Sequence, residues 1–252
     1  MDERHTEKSG ATAEESAAKN TLGADSVVRA MGQYDTGEKV KKYTAGVMGT
    51  ATDRREQRCI TKALDFAGVP AGAFVLDLPC GPGRLLPLLK KRGYRICGID
   101  VSASMVEQAR LYAGPLGKNC LEETDRLQVG SIFKSGLDDN YVDAAVCNRL
   151  IHYFPEAELR REALRELSRV CRGPIVISFL CSWSLDDVWY SMLVKVRRQG
   201  RRRCGGISPG TFAEDARKAG LVVKKFIPTL PLLSRRWYAV LGRAPNASSS
   251  KP

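Results

Sequence analysis

The sequence predicts an α/β protein: a doubly wound, mostly parallel sheet with an antiparallel last strand and an N-terminal helical cover. Five short runs rich in valine, isoleucine and leucine alternate with segments whose apolar residues recur at helical spacing, the pattern of a parallel sheet covered on both faces. A glycine turn follows the first of these runs, where such sheets place a ligand. Two further runs near the C-terminus lie close enough in sequence to pair antiparallel.

Residues 1–26 are small, polar and charged, cannot bury enough surface to offset the entropy of ordering, and read as a disordered tail. Residues 27–70 read as the helical cover, with helices in "SVVRAMGQY" and in "DRREQRCITKALDFAG", the second stopping at Gly68. The main domain is expected over 71–243. Its strands are "AFVLDL", "YRICGID", "RLQVGS", "VDAAVCN" and "PIVISFL", and its helices "RLLPLLKKR", "SASMVEQARLYA" and "EAELRREALRELSRVC". An insertion occupies 182–206. Then "SPGTFAEDARKAG" makes a helix with Ser208 as N-cap, Pro209 in its first position and Gly220 as its stop. The final strands are "LVVKKFIP" and "RRWYAVLGR", and 244–252 form a flexible tail.

A chain of 252 residues can bury one sizeable α/β core. No apolar run reaches the length of a membrane span, and the charged opening "MDERHTEKSG" is followed by no secretory apolar segment, so the expected location is cytoplasmic. The 8 cysteines are scattered without a CxxC pair and only 2 histidines accompany them, so they read as buried thiols and no metal site is expected. A net charge of +12 attracts phosphates, acidic substrates or anionic lipid heads.

The turn "LPCGPGRL" decides which nucleotide fits. A dinucleotide site would have a third glycine where Leu86 stands, and Asp77 would face a pyrophosphate with a like charge. Asp77 suits a ligand ending in an ammonium, while Asp100, at the end of the next strand, can accept ribose hydroxyls. S-adenosylmethionine meets both demands.

The stretch "VLDLPCGPGRLLPLLKKRGYRICGIDVSASMVEQAR" resembles the first two motifs of the class I S-adenosylmethionine-dependent methyltransferases of small-molecule type, and the element order from Ala73 to Gly242 is similar to their Rossmann-like seven-stranded fold. The resemblance implies that Asp77, Gly81 and Gly83 hold the methionine part, Asp100 the ribose, and the Ser102 to Met105 stretch the adenine. Pro79, Val101, Met105 and Asn148 are also expected to bind the cofactor, with Ser131 where the family often has an acid. Pro79 replaces a usual glycine and Pro82 a usual hydroxyl residue, so the loop must present its remaining donors differently.

Methyl transfer from a sulfonium depends mainly on positioning, so no base is obligatory. His152 could take a proton from an acceptor, or could pack over the cofactor or cap the next helix. In the insertion, Trp183, Trp189, Tyr190, Arg197 and Arg198 offer an aromatic and basic wall for the acceptor; the same residues also suit an amphipathic helix with a solvated basic face. The resulting expectation is methylation at O or N of a small-molecule or lipid-like acceptor. RNA methylation through the basic segment 195–203, a peripheral position on an anionic membrane surface, and a non-catalytic S-adenosylmethionine-binding protein remain open alternatives.

Overall fold

A computed structural model describes residues 36–113, 121–183, 206–231 and 233–244. Two helices, α1 (Gly37–Val47) and α2 (Ala51–Phe66), precede the sheet. Then come β1 (Phe74–Asp77), α3 (Leu86–Lys91), β2 (Arg95–Asp100), α4 (Ala103–Ala113), β3 (Arg126–Val129) and β4 (Ala144–Cys147). A 3₁₀ turn (Ile151–Tyr153) leads to α5 (Ala157–Val170), β5 (Ile175–Leu180), α6 (Pro209–Lys218), β6 (Leu221–Pro228) and β7 (Arg236–Arg243).

The seven strands lie in the order β3-β2-β1-β4-β5-β7-β6. β1 to β5 pair in parallel, and β7 runs antiparallel between β5 and β6. The order reverses between β1 and β4, which places a crevice beyond the carboxyl ends of those two strands. The fold class read from the sequence is the one found.

β1 is buried along its whole length because both faces are covered. Val75 points into a core shared with Ile60 and Leu64 of α2, Leu89 of α3 and Ala109 of α4. Leu76 points the other way, toward Leu164 and Leu167 of α5 and Phe212 of α6. Alternation at period two thus divides one strand between two cores.

Local signals set the ends of the helices. The Thr50 hydroxyl accepts from the Asp53 amide at 3.1 Å, while the Asp53 carboxylate reaches back to the Gly49 amide at 2.8 Å. Gly68 ends α2 in the left-handed region at φ 65°, and Ser208 caps α6 ahead of Pro209 as its sequence predicts. The expected helix "SVVRAMGQY" lies outside the described residues, as do both tails apart from Ala244 and nearly all of the insertion.

Six cysteines among the described residues are free and buried. Burial pushes the Cys97 thiol up to about 12 and Cys171 up to about 11. Among the described residues no cluster could hold a metal ion and no helix is long and apolar enough to cross a membrane.

Candidate functional site

β1 ends in Asp77 and β2 in Asp100, and the turn between β1 and α3 runs between these two carboxyl groups. Together they line a cleft at the carboxyl ends of β1 and β2. Pro79, Gly81, Met105 and Asn148 line it too, so six residues singled out in the sequence meet here.

The Asp77 carboxyl is 1% exposed, and neither of its oxygens has a hydrogen-bond partner. Burial pushes it up to about 8; Arg84 pulls it down and Asp100 adds to the rise. An unmatched buried carboxyl costs free energy unless something enters to pair with it. A ligand ammonium would do so.

Asp100 is used differently. One of its oxygens accepts from the Gly81 amide at 2.8 Å and the other from the Ser102 amide at 3.0 Å. It therefore pins the turn to β2 and holds a carboxylate in the lining of the cleft. Gly81 has φ 53° and nothing within 4 Å of where a Cβ would stand, so its role is conformational freedom beside open space.

Gly83 does something else. It is not among the residues lining the cleft, and a Cβ there would meet the Ala109 Cα at 3.1 Å and Leu86 at 3.0 Å, in addition to its φ of 84°. Its bare backbone lets α4 pack against the turn. Val101 is half-buried and outside the lining. Ser131 also lies outside it, because its hydroxyl accepts from the Phe133 amide at 3.2 Å and its backbone pairs with Lys134.

His152 lies outside the lining of this cleft. The 3₁₀ turn sends Tyr153 into the cleft and His152 into a neighbouring pocket walled by Ile151, Phe154, Phe179, Leu180 and Ile207. Burial, then Arg236, Arg149 and Arg235, hold the imidazole down to about 3. It stays neutral at pH 7, where so low a value makes it a weak base. Trp183 is 65% exposed, and Trp189, Tyr190, Arg197 and Arg198 fall outside the described residues.

Under the cleft lies an ionic network that sequence reasoning missed. Glu56 of α2, fully buried, takes two hydrogen bonds from Arg149 at 2.8 and 3.0 Å and an ion pair from Arg236 at 2.9 Å. Arg84 pairs with Asp53 and approaches Glu56 at 3.4 Å. Asn148 donates to Glu56 at 3.5 Å and accepts from the Tyr238 hydroxyl at 3.1 Å. Burial works against the Asp53 charge, yet the Gly49 amide and Arg84 hold its carboxyl below the usual value. Arg149, which also lines the cleft, sits at φ 60°, fixed by Glu56 and by the Ser178 hydroxyl accepting its amide at 2.8 Å.

A signal for this network existed. Asp53 and Glu56 continue the helical face of Ile60, Ala63 and Leu64, so two acids occupy buried positions of an amphipathic helix.

Residues 76–174 match the family model described as a methyltransferase domain. An uncharacterised transposon protein of Streptomyces fradiae is 34% identical over 174 residues, which is 66% of this chain and 48% of the relative. Malonyl-[acyl-carrier protein] O-methyltransferase of Salmonella typhimurium is 27% identical over 162 residues, 64% of this chain and 54% of the relative. The chain thus spans about half the length of these curated relatives. The magnesium protoporphyrin IX methyltransferase of Synechocystis, solved with bound S-adenosylhomocysteine, superposes with a TM-score of 0.67 at 15% identity over 89% of this chain and 100% of that one.

Proposed function

We propose that this chain, which carries a class I S-adenosylmethionine-dependent methyltransferase domain, takes S-adenosylmethionine in the cleft between Asp77 and Asp100 and passes its methyl group to oxygen or nitrogen of a small-molecule or lipid-like acceptor. The observation that carries the reading is Asp77. A carboxyl 1% exposed and wholly unmatched, beside a turn with open space at Gly81, fits the ammonium end of that molecule.

When bound, the cofactor supplies an activated methyl group on a sulfonium. The chain supplies position. Asp77 holds one end through an ion pair formed out of water, where such pairs are strong. Asp100, oriented by the Gly81 and Ser102 amides, receives the ribose hydroxyls. Met105 and Leu85 add apolar walls, and Tyr153 and Arg149 bound the cleft where an acceptor would approach. Alignment of this kind can supply on the order of 7–11 kcal/mol, so a base is not required. A small or lipid-like acceptor is favoured by the largely apolar pocket lined by Ile151, Phe154, Phe179 and Ile207.

Calorimetric titration with S-adenosylmethionine and S-adenosylhomocysteine tests the cofactor. Both should bind, and Asp100→Ala should weaken them about ten- to a hundredfold by removing charge-assisted hydrogen bonds. No heat from either, or unchanged affinity in both Asp77→Asn and Asp100→Ala, overturns the proposal. Methyl release across small-acceptor and RNA panels then assigns the acceptor class.

A further inference from the structure

Away from the cleft, α2 and the edge strand β6 enclose a groove of about 680 Å³, enough for several side chains of a partner. Arg55, Arg58 and Lys62 of α2 stand along it, all exposed. Positions three and four apart share one side of a helix, so these cations form a row rising about 10 Å. Lys225 faces them from β6, its ammonium 4.4 Å from the centre of the Phe66 ring at the end of α2.

The row lacks anions. Among the described residues none of these four cations pairs with a carboxylate, and Asp65, the acid in the lining, is held by Arg92. Between the cations the surface is apolar: Cys59 and Ile227 are buried there, and Leu230 and Pro231 continue it past the end of β6. A cationic rim over an apolar floor is complementary to an occupant with one apolar face flanked by acids.

We infer that the groove docks a protein partner through an acidic amphipathic helix. Laid along α2, such a helix brings acids at its own three- and four-residue spacing into step with Arg55, Arg58 and Lys62, while its apolar side covers Cys59, Ile227 and Leu230. A strand is a poor fit to the outer edge of β6, because a bulge at Lys224 bends that strand and Pro228 has no N–H to offer. RNA finds no stacking platform: Phe226, the aromatic residue in the lining, turns its ring against Phe179 and Trp237, at 5.8 and 6.2 Å. A bilayer takes up protruding apolar side chains, whereas Cys59 and Ile227 are recessed. The row lies on the exposed side of α2, and the buried Asp53 and Glu56 that serve the cleft lie on the other, so the inference does not rest on the cofactor reading.

The probe is a fluorescein-labelled helical peptide of about 18 residues, with leucines along one face and glutamate and alanine elsewhere, titrated into the full chain and followed by anisotropy. It should bind at least tenfold more tightly than two controls, one with glutamine for every glutamate and one with the leucines scattered around the helix. Combined Arg55→Gln, Arg58→Gln and Lys62→Gln should weaken it at least tenfold, and Arg58→Glu alone should weaken it too; all three positions are exposed, so both variants should melt as wild type does. Combined Lys39→Gln, Lys41→Gln and Lys42→Gln removes the same charge from exposed positions of α1 and should leave the affinity unchanged. Equal affinity for the glutamate and glutamine peptides, equal affinity for the scattered peptide, or the same loss in the α1 variant overturns the inference. So does a single-stranded RNA, or a phosphatidylglycerol vesicle, that binds through Arg55, Arg58 and Lys62 more tightly than the peptide.

Discussion

Replacing Asp77 by asparagine should make the ligand-free protein more stable at high pH while removing its affinity for S-adenosylmethionine. With the Asp77 carboxyl pushed up to about 8 from 3.8, the folded protein keeps a proton that the unfolded chain has released throughout that window. The native state therefore loses stability as pH rises from about 4 to about 8. Between pH 5 and pH 8 the loss from this one group is on the order of 3 kcal/mol. At roughly 2–4 °C per kcal/mol for a chain of this size, the wild-type melting temperature should fall by about 6–12 °C relative to Asp77→Asn over that range. The asparagine amide is also unmatched, but its cost does not change with pH. Melts followed by circular dichroism at several pH values, on both proteins, isolate the difference and cancel every other titrating group. Saturating S-adenosylmethionine should flatten the wild-type slope, since its ammonium partners the carboxylate, and leave the variant unmoved. Parallel pH slopes in the two ligand-free proteins would refute the reasoning.

Three further outcomes follow from the network and the turn. Glu56→Leu should cost about 3–5 kcal/mol in a denaturant melt, because it strands the buried charges of Arg149 and Arg236. Gly83→Ala should destabilise by about 1–3 kcal/mol through its left-handed φ and its closeness to Ala109, and a denaturation midpoint equal to wild type would contradict the packing assigned to it. The His152 imidazole, held down to about 3, should show no NMR titration above pH 5; since its folded value lies below the ordinary 6.5, the stability it withholds returns as pH rises from about 3 to 6.5.

What the sequence discloses depends on whether the signal is local. β1 and β2 are runs of apolar residues closed by an acid, and the period and the acid are both visible in a line of letters, so Asp77 and Asp100 could be placed without coordinates. Ser208 and Pro209 announce α6 in the same way. The resemblance implies a cofactor role for Gly83, while its close approach to Ala109, a residue on another helix, is not visible in a line of letters. The sequence leaves His152 open between taking a proton from an acceptor, packing over the cofactor and capping the next helix. A 3₁₀ turn, in which consecutive side chains diverge by about 120°, gave the cleft to Tyr153 instead. The Glu56 network joins residues 56, 84, 149 and 236, and nothing local links them.

That network bears on whether α1 and α2 are merely a cover. Asp53 and Glu56 are the carboxylates that meet Arg84, Arg149 and Arg236, and Ile60, Ala63 and Leu64 close the core over Val75, Leu86 and Val146. A fragment beginning at residue 71 would leave three arginines uncompensated and that apolar face in water, each a cost of several kcal/mol against a total stability of about 5–15 kcal/mol. Residues 71–252 alone should therefore show no cooperative melt, and a peptide of residues 36–70 added in trans should restore one. If the fragment melted cooperatively by itself, the two acids would be dispensable to the fold, and α2 would have to be regarded as an accessory of the cleft and not as part of the domain that carries it.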